Sequence, residues 1–169
     1  MPKTPHYLTK LQHFNSVPTL TTLAWHPHLT VAAICERDGQ FLLVEERAKS
    51  TDEIVLNQPA GHIDKGETVI NAVIRETREE TCRHFTPQAI IGFYRLLSDN
   101  GKTYFRYTFC GQISDPDTNL QLDPDIIATH WLSLDQIRAQ QNLRSPLVIN
   151  CIEDYLSGAR YPLTLLREL

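Results

Sequence analysis

The sequence predicts an α/β fold, and three observations along the chain support it. Two turn sequences, at residues 38–39 (Asp-Gly) and 99–102 (Asp-Asn-Gly-Lys), are each flanked by apolar, β-branched segments typical of β-hairpins. Between them, residues 68–83 have the spacing of an amphipathic helix. Since strands and helices are mixed and the hairpins require antiparallel pairing, we expect an α/β sandwich with a mixed sheet.

The first half of the chain supplies the first hairpin and the approach to the long helix. Apolar runs at residues 30–35 and 41–44 predict the two strands, and a polar loop follows at residues 47–53. Residues 57–61 (Asn-Gln-Pro-Ala-Gly) predict a turn-rich segment before the helix.

The second half contains further strands and two shorter helices. Apolar patterns predict strands at residues 90–97, 104–113 and 126–132. Ser133 is a suitable N-cap for a helix at residues 134–141. Ser145-Pro146 opens a last helix and Gly158 closes it, in the usual order of proline inside the start and glycine past the end.

Length and composition favour a single domain that does not bind nucleic acid. A chain of 169 residues matches one domain, and we expect residues 28–169 to form it, with the poorly patterned residues 1–27 as an N-terminal extension. The formal charge is −4 and no basic patch stands out, which argues against nucleic acid as a partner. Nothing in the sequence enforces a dimer, so we expect a monomer.

Two features of the sequence, its targeting signals and the spacing of its cysteines, indicate the cellular compartment. No segment resembles a signal peptide or has the apolar length of a membrane span, so we expect a soluble, cytoplasmic protein with no membrane partner. The four cysteines lie far apart, with no Cys-x-x-Cys pair, which argues against a zinc site and a disulfide framework. We expect them to be reduced and mostly buried.

The long helix carries three glutamates on or beside the face that should be buried. At 100° per residue, Glu76 and Glu80 lie about 40° apart within the apolar arc, and Glu79 lies at its edge. Carboxylates at this spacing repel one another, and burying them unpaired costs far more than exposing them. Most acidic triplets on helices are solvated, but the position of this one favours a site for a hard divalent cation such as Mg²⁺. Such an ion would polarise a phosphoryl oxygen and activate a water molecule.

The charged residues around this helix resemble the Nudix box, the signature of the Nudix hydrolase family. The pattern is G-x5-E-x7-R-E-U-x-E-E-x-G-U, where U is apolar, and Gly61, Glu67 and residues 75–80 (Arg-Glu-Thr-Arg-Glu-Glu) stand at the matching positions. The resemblance implies an α/β/α sandwich. It also implies a small-molecule substrate in which water attacks a diphosphate linked to another group.

The resemblance further implies a metal site on the helix. Glu79 and Glu80 resemble ligands of Mg²⁺, for which Mn²⁺ substitutes, and Glu76 resembles either a further ligand or the general base. A backbone carbonyl of Ala60 or Gly61 often completes the metal shell in this family. Ligand and base exchange roles among family members, so this division stays open here.

Two other positions of the motif complete the expected catalytic set. Arg75 and Glu67 resemble a pair that orients the helix carboxylates. Three positions depart from the pattern: Cys82 replaces glycine, Arg83 replaces an apolar residue, and Thr77 is a borderline apolar choice. Because cysteine tolerates a left-handed helix exit poorly, we expect the exit to differ locally. No departure removes a carboxylate, so the chemistry is expected to be retained.

Other stretches resemble a narrower group within the family, the NudJ-type phosphatases. These are residues 57–62, residues 142–148, and Tyr155 together with residues 157–163. The likeness implies phosphate release from nucleoside di- and triphosphates and from hydroxymethylpyrimidine diphosphate of the thiamine pathway, and it marks Gln58 as a substrate-binding residue. Leu56 stands where that group tends to have tryptophan, which removes a stacking surface for a base.

Four further residues are candidates for the functional site, and each also has an ordinary structural interpretation. Asp123 or Asp125 supplies a fourth acidic ligand or a base, or both belong to a solvated turn. Arg106 binds a substrate phosphate through its two-pronged guanidinium, or it forms an ordinary surface ion pair. His62 approaches the phosphates, or it is a plain turn histidine.

Two alternatives to a nucleoside di- or triphosphatase remain open. One is a Nudix pyrophosphatase for nucleoside-diphosphate sugars or dinucleoside polyphosphates, because the box alone does not identify the substrate. The other is a Nudix-fold binding module without catalysis, which the retained glutamates of the box argue against. RNA-cap hydrolysis is disfavoured by the absence of a basic surface.

Overall fold

Two four-stranded sheets and three α-helices make up the part of the chain described by the structure, a computed structural model covering residues 25–49, 51–98 and 101–167. The strands are β1 (His28–Ile34), β2 (Glu36–Arg37), β3 (Gln40–Arg47), β4 (Ile54–Asn57), β5 (Ala60–His62), β6 (Phe85–Leu97), β7 (Thr103–Ile113) and β8 (Ile126–Ser133). The helices are α1 (Val69–Thr81), α2 (Leu134–Arg138) and α3 (Leu147–Leu156), followed by a short 3-10 helix, Leu163–Leu165.

The first sheet is mixed, as the sequence predicts. Its order is β5-β1-β7-β6, in which β1 and β7 run parallel and the other pairs are antiparallel. In the second sheet, β3 pairs antiparallel with β2, β4 and β8. The chain passes from one sheet to the other at Cys35, whose carbonyl accepts a 3.0 Å bond from the Leu42 N–H.

Helices cover both faces of the sheet that contains β1. Alternate side chains of β1 enter two different cores, because successive residues of a strand point to opposite faces. Val31 and Ala33 pack with Val73 of α1, whereas Ile34 packs with Val148 of α3. This arrangement confirms the predicted α/β/α sandwich.

The long helix α1 begins where the sequence predicts. Thr68 is its N-cap, and the Thr68 hydroxyl accepts a 3.0 Å bond from the Asn71 N–H. The prediction about its other end was wrong, since Cys82 adopts the left-handed conformation (φ 54°, ψ 30°) that glycine usually supplies. A 2.8 Å bond from the Cys82 N–H to the Arg78 carbonyl holds this turn, and the thiol is buried. The usual helix exit is therefore formed without glycine.

The two other departures from the motif are accommodated by hydrogen bonds. Thr77 is fully buried, and its hydroxyl donates a 2.7 Å bond to the Val73 carbonyl, so no polar group is left unpaired. Arg83 donates a 3.0 Å bond to the Ser114 carbonyl and lies over the ring of Trp131. Neither residue disturbs α1.

Elements that depend on distant partners differ most from the prediction. The strands β4 and β5 lie where a loop approach was expected, because residues 54–57 pair with β3 and residues 60–62 pair with β1. Helix α2 ends at Arg138, three residues before the predicted end at residue 141. Its Ser133 N-cap is confirmed, with a reciprocal bond from the Gln136 side chain.

The second hairpin is confirmed and the first only in part, because across its turn β3 pairs with β2, whereas the predicted partner strand at residues 30–35 belongs mostly to β1, which pairs with β5 and β7. In the first, Asp38 and Gly39 occupy the turn with positive φ angles, as a tight hairpin requires. In the second, β6 and β7 pair from residue 85 to residue 113, while residues 99–100 of the predicted turn lie outside the described residues. Residues 1–24 of the predicted extension lie outside them as well, so the boundary at residue 27 stays a prediction.

The described residues include all four cysteines of the chain. Cys35, Cys82, Cys110 and Cys151 are free and buried. No helix in the described ranges combines the length and apolar character needed to cross a bilayer.

We expect the Cys82→Gly protein to be more stable than the Cys82→Ala protein by about 1 kcal/mol. Both substitutions remove the thiol, but only alanine keeps a Cβ atom that crowds the left-handed backbone. Urea unfolding of the two variants measures the difference. The same pair at Ser157, a right-handed helix cap, is the control, and there alanine should be the more stable. Equal stability of the two variants at position 82 would contradict the conclusion that the left-handed backbone there crowds a Cβ atom.

Candidate active site

The guanidinium of Arg75 joins the loop before α1 to the carboxylates on the helix. It binds the Glu67 carboxylate in a bidentate manner, through a 2.9 Å hydrogen bond from Nε and a 2.8 Å hydrogen bond from Nη2. Its Nη1 donates to Glu76 at 2.8 Å and to Glu79 at 3.0 Å. Its Nη2 also reaches the His62 carbonyl at 3.0 Å. One side chain thus orients three of the four glutamates that the motif singles out.

These bonds set the charge state of the residues they connect. The hydrogen bonds from Arg75 hold the pKa of Glu67 below its ordinary value, and they raise the pKa of Arg75 itself. For Glu76 burial is the larger influence, so its pKa is raised although Arg75 acts in the opposite direction. Repulsion between the glutamates is therefore offset in part by this guanidinium, an effect not foreseen from the sequence.

Glu80 is the one helix carboxylate that Arg75 does not contact. Its residue is 9% exposed, and its Oε2 accepts a 2.8 Å bond from the Ala60 N–H. Burial raises the pKa of Glu80 well above its ordinary value, and the nearby carboxylates of Glu46, Glu76 and Asp123 raise it further. In the described part of the chain, no lysine or arginine lies within ion-pair distance of Glu80.

The carboxyl group of Glu76 occupies the space beside Gly61. A Cβ atom built on Gly61 would lie 2.1 Å from the Glu76 Cδ atom, closer than any real contact. The Gly61 backbone angle is outside the left-handed region, so glycine is needed here for space and not for conformation. This explains in physical terms why the first position of the box is a glycine.

The carboxylate groups suit a hard cation in their chemistry. Oxygen donors are the ligands that Mg²⁺ and Mn²⁺ prefer. Among the described residues, however, no three His, Cys, Asp or Glu side chains already converge as a metal cage. The reason is visible in the contacts, since Glu76 and Glu79 point to Arg75 while Glu80 bonds to Ala60. Cation binding would require the carboxylates of Glu76 and Glu79 to turn from Arg75 toward Glu80.

The two aspartates considered from the sequence lie in different surroundings. The Asp123 N–H donates a 2.9 Å bond to the Glu79 carbonyl, and the Asp123 carboxylate acts on Glu80. Asp125 instead forms a 2.8 Å ion pair with Lys49, and both side chains are partly or largely exposed. The geometry therefore favours Asp123 over Asp125 as a member of the site.

Arg106 is buried, so the surface ion pair considered for it is excluded. The residue is 9% exposed, burial lowers its pKa, and its Nε and Nη1 atoms have no hydrogen-bond partner in the described part of the chain. In the sheet it pairs with Thr30 of β1, which in turn pairs with His62 of β5. Paired residues share a face, so Arg106 and His62 lie on the same side of the sheet.

The other two proposed substrate-binding residues are placed differently. His62 is exposed as a whole residue, but its ring is partly desolvated beside His28 (Nε2 to Nδ1, 3.1 Å), and this desolvation and His28 lower the pKa of His62. Gln58 is 1% exposed and donates a 2.8 Å bond from Nε2 to the Val148 carbonyl. Leu56, considered for its missing aromatic ring, packs in the core beneath α3.

Glu46 is a member of the site that sequence reasoning missed. Its side chain, 15% exposed, accepts a 3.2 Å bond from Asn57 Nδ2 and lies 3.7 Å from Arg144 Nη1. The signal was present in the strand alternation, because Leu42, Val44 and Glu46 follow one another on the same face of β3. A charged residue that continues an apolar face is a candidate for a functional site.

Comparison with known proteins places this arrangement in a family. The NUDIX domain model matches residues 25–149 of the chain. Phosphatase NudJ of Escherichia coli (strain K12) is 36% identical over 142 residues, which cover 84% of this chain and 92% of the relative. A NUDIX hydrolase from Nitrosomonas europaea, known from its structure, has 47% sequence identity and a TM-score of 0.81, with 85% of this chain and 98% of that chain covered.

The chain is therefore a member of the Nudix hydrolase family. Within that family, phosphatase NudJ of Shigella flexneri matches it to the same extent as the Escherichia coli protein, 36% over 142 residues. The MutT NUDIX hydrolase of Burkholderia pseudomallei, at 24% identity and a TM-score of 0.65, shares the fold. The predicted family, fold class and hydrolase activity are confirmed, and members of this family generally use a divalent metal ion.

Replacing Gly61 by alanine should reduce kcat at least about tenfold while the melting temperature stays nearly unchanged. The added Cβ displaces the Glu76 carboxylate, which is the flexible end of a side chain, so the fold tolerates the change and the site does not. Gly111→Ala provides the contrast, because its Cβ would meet the Thr86 backbone oxygen at 2.1 Å. That variant should lose about 2 kcal/mol or more of stability. An active Gly61→Ala enzyme would contradict the placement of Glu76.

Proposed function

We propose that this protein is a Mg²⁺-dependent phosphohydrolase that cleaves phosphoanhydride bonds of small molecules by attack of water. Its substrates are nucleoside di- and triphosphates, together with hydroxymethylpyrimidine or thiamine diphosphate, and orthophosphate is released. The similarity to NudJ, which carries the name phosphatase, supports phosphate as the product. The acidic face of α1 supports the metal dependence.

The observation that carries the proposal is the buried carboxylate of Glu80. A buried carboxylate costs several kcal/mol unless a positive charge or several hydrogen bonds compensate it. Glu80 has one hydrogen bond and three acidic neighbours, so its surroundings favour binding of a cation. A structural role would be better served by an uncharged side chain at this position.

Glu76, Glu79 and Glu80 would hold the cation, with the backbone of Ala60 beside them. When bound, Mg²⁺ supplies Lewis-acid polarisation of a phosphoryl oxygen. Mn²⁺ should substitute, because it accepts the same oxygen ligands. Asp123 is close enough to Glu80 to influence its charge and is the candidate for a further acidic group.

Arg75 and Glu67 keep the helix carboxylates in place for cation binding. Glu67 fixes Arg75 from the loop, and the Nη1 atom of Arg75 holds Glu76 and Glu79 until a cation takes their oxygen atoms. Glu76, whose pKa is raised by burial, is suited to accept a proton from the attacking water when it is not itself a ligand. Arg75 and Glu67 are positioning residues in this scheme.

Substrate contacts are assigned to the face of the first sheet that carries Arg106 and His62. Arg106 offers two unpartnered N–H groups, and Gln58 lies two residues before Ala60. No contact in the described residues favours a nucleoside-diphosphate sugar or a dinucleoside polyphosphate. The UDP-X diphosphatase structure, at 18% identity, shares only the fold with this chain. We take the protein to act as a cytoplasmic monomer on small molecules.

The Glu80→Gln variant should release phosphate at least about a hundredfold more slowly than the native protein. Its stability should not fall, because glutamine resembles the protonated form that burial favours. The measurement is release of phosphate and pyrophosphate, scored separately, from GTP, GDP and hydroxymethylpyrimidine diphosphate with Mg²⁺ present.

The matched control is Glu153→Gln, which removes an exposed carboxylate on α3 that pairs with Arg138. It should leave phosphate release unchanged. Pyrophosphate as the sole product, or no turnover of any of the three substrates, would overturn the phosphatase assignment. An unimpaired Glu80→Gln enzyme would overturn the placement of the catalytic centre.

Removal of divalent ions should abolish turnover and restore it only with added metal. Dialysis against EDTA followed by titration with Mg²⁺ or Mn²⁺ tests this, with phosphate release as the readout. The chelated protein should keep its far-UV circular dichroism, because the sheets and helices do not depend on the ion. Full activity in excess EDTA would contradict the proposed cofactor.

A further inference from the structure

A group of apolar side chains lies together on one face of the first sheet. Phe93 of β6 pairs with Tyr107 of β7, and Phe105 of β7 pairs with Leu29 of β1. Paired residues share a face, and Tyr107 packs against the core cluster that contains Val73 of α1, so this is the face that α1 occupies. The ring centroid of Phe93 lies 5.3 Å from that of Phe105 and 4.4 Å from that of Tyr107. We call these four residues the β6–β7 surface, together with Trp25, Leu97, Tyr161 and Leu165.

Much of the β6–β7 surface is exposed, although α1 covers the neighbouring part of the same face. Val31 and Phe109 are completely buried in the core that α1 shares with the sheet. Six side chains of the β6–β7 surface are instead 46% to 67% exposed, namely Trp25, Leu29, Phe93, Leu97, Tyr161 and Leu165. They make up most of the nine large apolar side chains exposed in the described part of the chain. Single exposed apolar side chains are ordinary, but a contiguous group marks a surface that another segment or molecule covers.

A groove of about 600 Å³ forms part of the β6–β7 surface. Its lining includes Phe93 and Tyr107 from the sheet, and Tyr161 and Leu165 from the segment that follows α3. Among the described residues that line it, Asp154 is the one charged residue. The groove therefore suits an apolar segment that also carries positive charge.

The described part of the chain begins on this surface. The ring of Trp25 meets the ring of Phe105 edge-on, with 6.1 Å between the centroids, and Phe105 in turn stacks on Phe93 at 5.3 Å. Four extended residues span about 13 Å, so residues 21–24 are long enough to lead from Trp25 to the groove. Residues 1–20 are left to cover the remainder of the surface.

The composition of residues 1–24 complements the β6–β7 surface. They contain two lysines, Lys3 and Lys10, and no aspartate or glutamate, whereas the whole chain has a formal charge of −4. An apolar side chain stands at every third position from residue 8 to residue 23, namely Leu8, Leu11, Phe14, Val17, Leu20 and Leu23. This spacing differs from the periods of a helix and of a strand, and a backbone with three residues per turn would place all six side chains on one side. The segment thus offers an apolar stripe and positive charge to a surface of apolar side chains with one carboxylate.

We propose that residues 1–24 dock on the β6–β7 surface of their own chain, with the apolar stripe against Phe93 and Phe105 and a lysine toward Asp154. Burial of the apolar side chains supplies the binding free energy. A segment attached beside the surface has an effective concentration of about millimolar, an advantage that a separate partner lacks. A second copy of the chain and a separate peptide are the alternative occupants. The inference is independent of the proposed function, because none of these residues belongs to the candidate active site.

Trypsin cleavage after Lys10 in the full chain measures how often residues 1–24 leave the surface, because the protease cuts the undocked form. Phe93→Ser removes a central ring, so cleavage should be at least about fivefold faster than in the native protein. Leu165→Ser, on a different segment, should have the same effect, which separates loss of docking from local damage to β6. Ile127→Ser is the matched control, because it removes a similarly exposed apolar side chain from β8 of the second sheet. Equal rates in all four proteins, or faster cleavage in the control as well, would refute the inference.

A spin label identifies the occupant of the surface. The Ser16→Cys protein is labelled with a nitroxide at the added thiol, since the four native cysteines are buried, and backbone N–H signals are followed by NMR. The signals of Phe93 and Phe105 should broaden in labelled ¹⁵N protein and stay sharp when labelled ¹⁴N protein is mixed with unlabelled ¹⁵N protein. The signal of Ile127 is the internal control and should stay sharp in both samples. Broadening in the mixture would assign the surface to a second copy, and sharp signals in both samples would leave it to a separate partner. Either result would contradict docking of residues 1–24.

Discussion

The bonds made by Arg75 are the constraint on which the rest of the site depends. Its guanidinium spans from Glu67 and the His62 carbonyl in the loop to Glu76 and Glu79 on the helix. A lysine has the same charge but only one nitrogen, so it cannot hold these acceptors in fixed directions. Without the guanidinium, carboxylates three and four residues apart would repel one another and the loop would lose its attachment to α1. The Arg75 guanidinium therefore supplies both the positive charge and the fixed directions of the hydrogen bonds.

Two buried ionisable groups, Glu80 and Arg106, remain outside that network, and in the described residues they form no ion pair with each other, although Glu80 acts electrostatically on Arg106. Glu80 lies on α1 and bonds the end of the loop at Ala60, whereas Arg106 lies on β7 beneath α3. A direct pair would satisfy both at lower cost than leaving each to a separate partner. Sites at which a sequence forgoes such local compensation are often functional, because the compensation comes from a ligand.

Local signals predicted most of the framework, and distant pairings account for the rest. The Thr68 N-cap, the second hairpin and the inward position of Glu76 and Glu80 follow from residues close in sequence. The short strand β5 was missed because the Ala60-Gly61-His62 sequence is typical of a turn and becomes a strand only through pairing with β1, whereas β4 was missed because its apolar run of three residues is too short to predict a strand without its partner β3. Cys82 shows the opposite error, since the hydrogen bond of its N–H and the burial of its thiol outweigh its poor left-handed propensity.

Glu46 acts on both Glu80, where we place the cation, and Arg106, which we assign to the substrate. Its carboxylate raises the pKa of Glu80 on one side, and on the other it bonds Asn57 and favours the charged form of Arg106. Electrostatic effects act over longer distances in a buried environment than in water, so one carboxylate can influence both groups. A cation at Glu80 would reduce the net negative field around Glu46 and would therefore also change the electrostatic surroundings of Arg106. Occupation of the metal site and binding of the substrate at Arg106 should therefore be coupled through this residue, and the coupling must act equally in both directions because it is a difference in binding free energy.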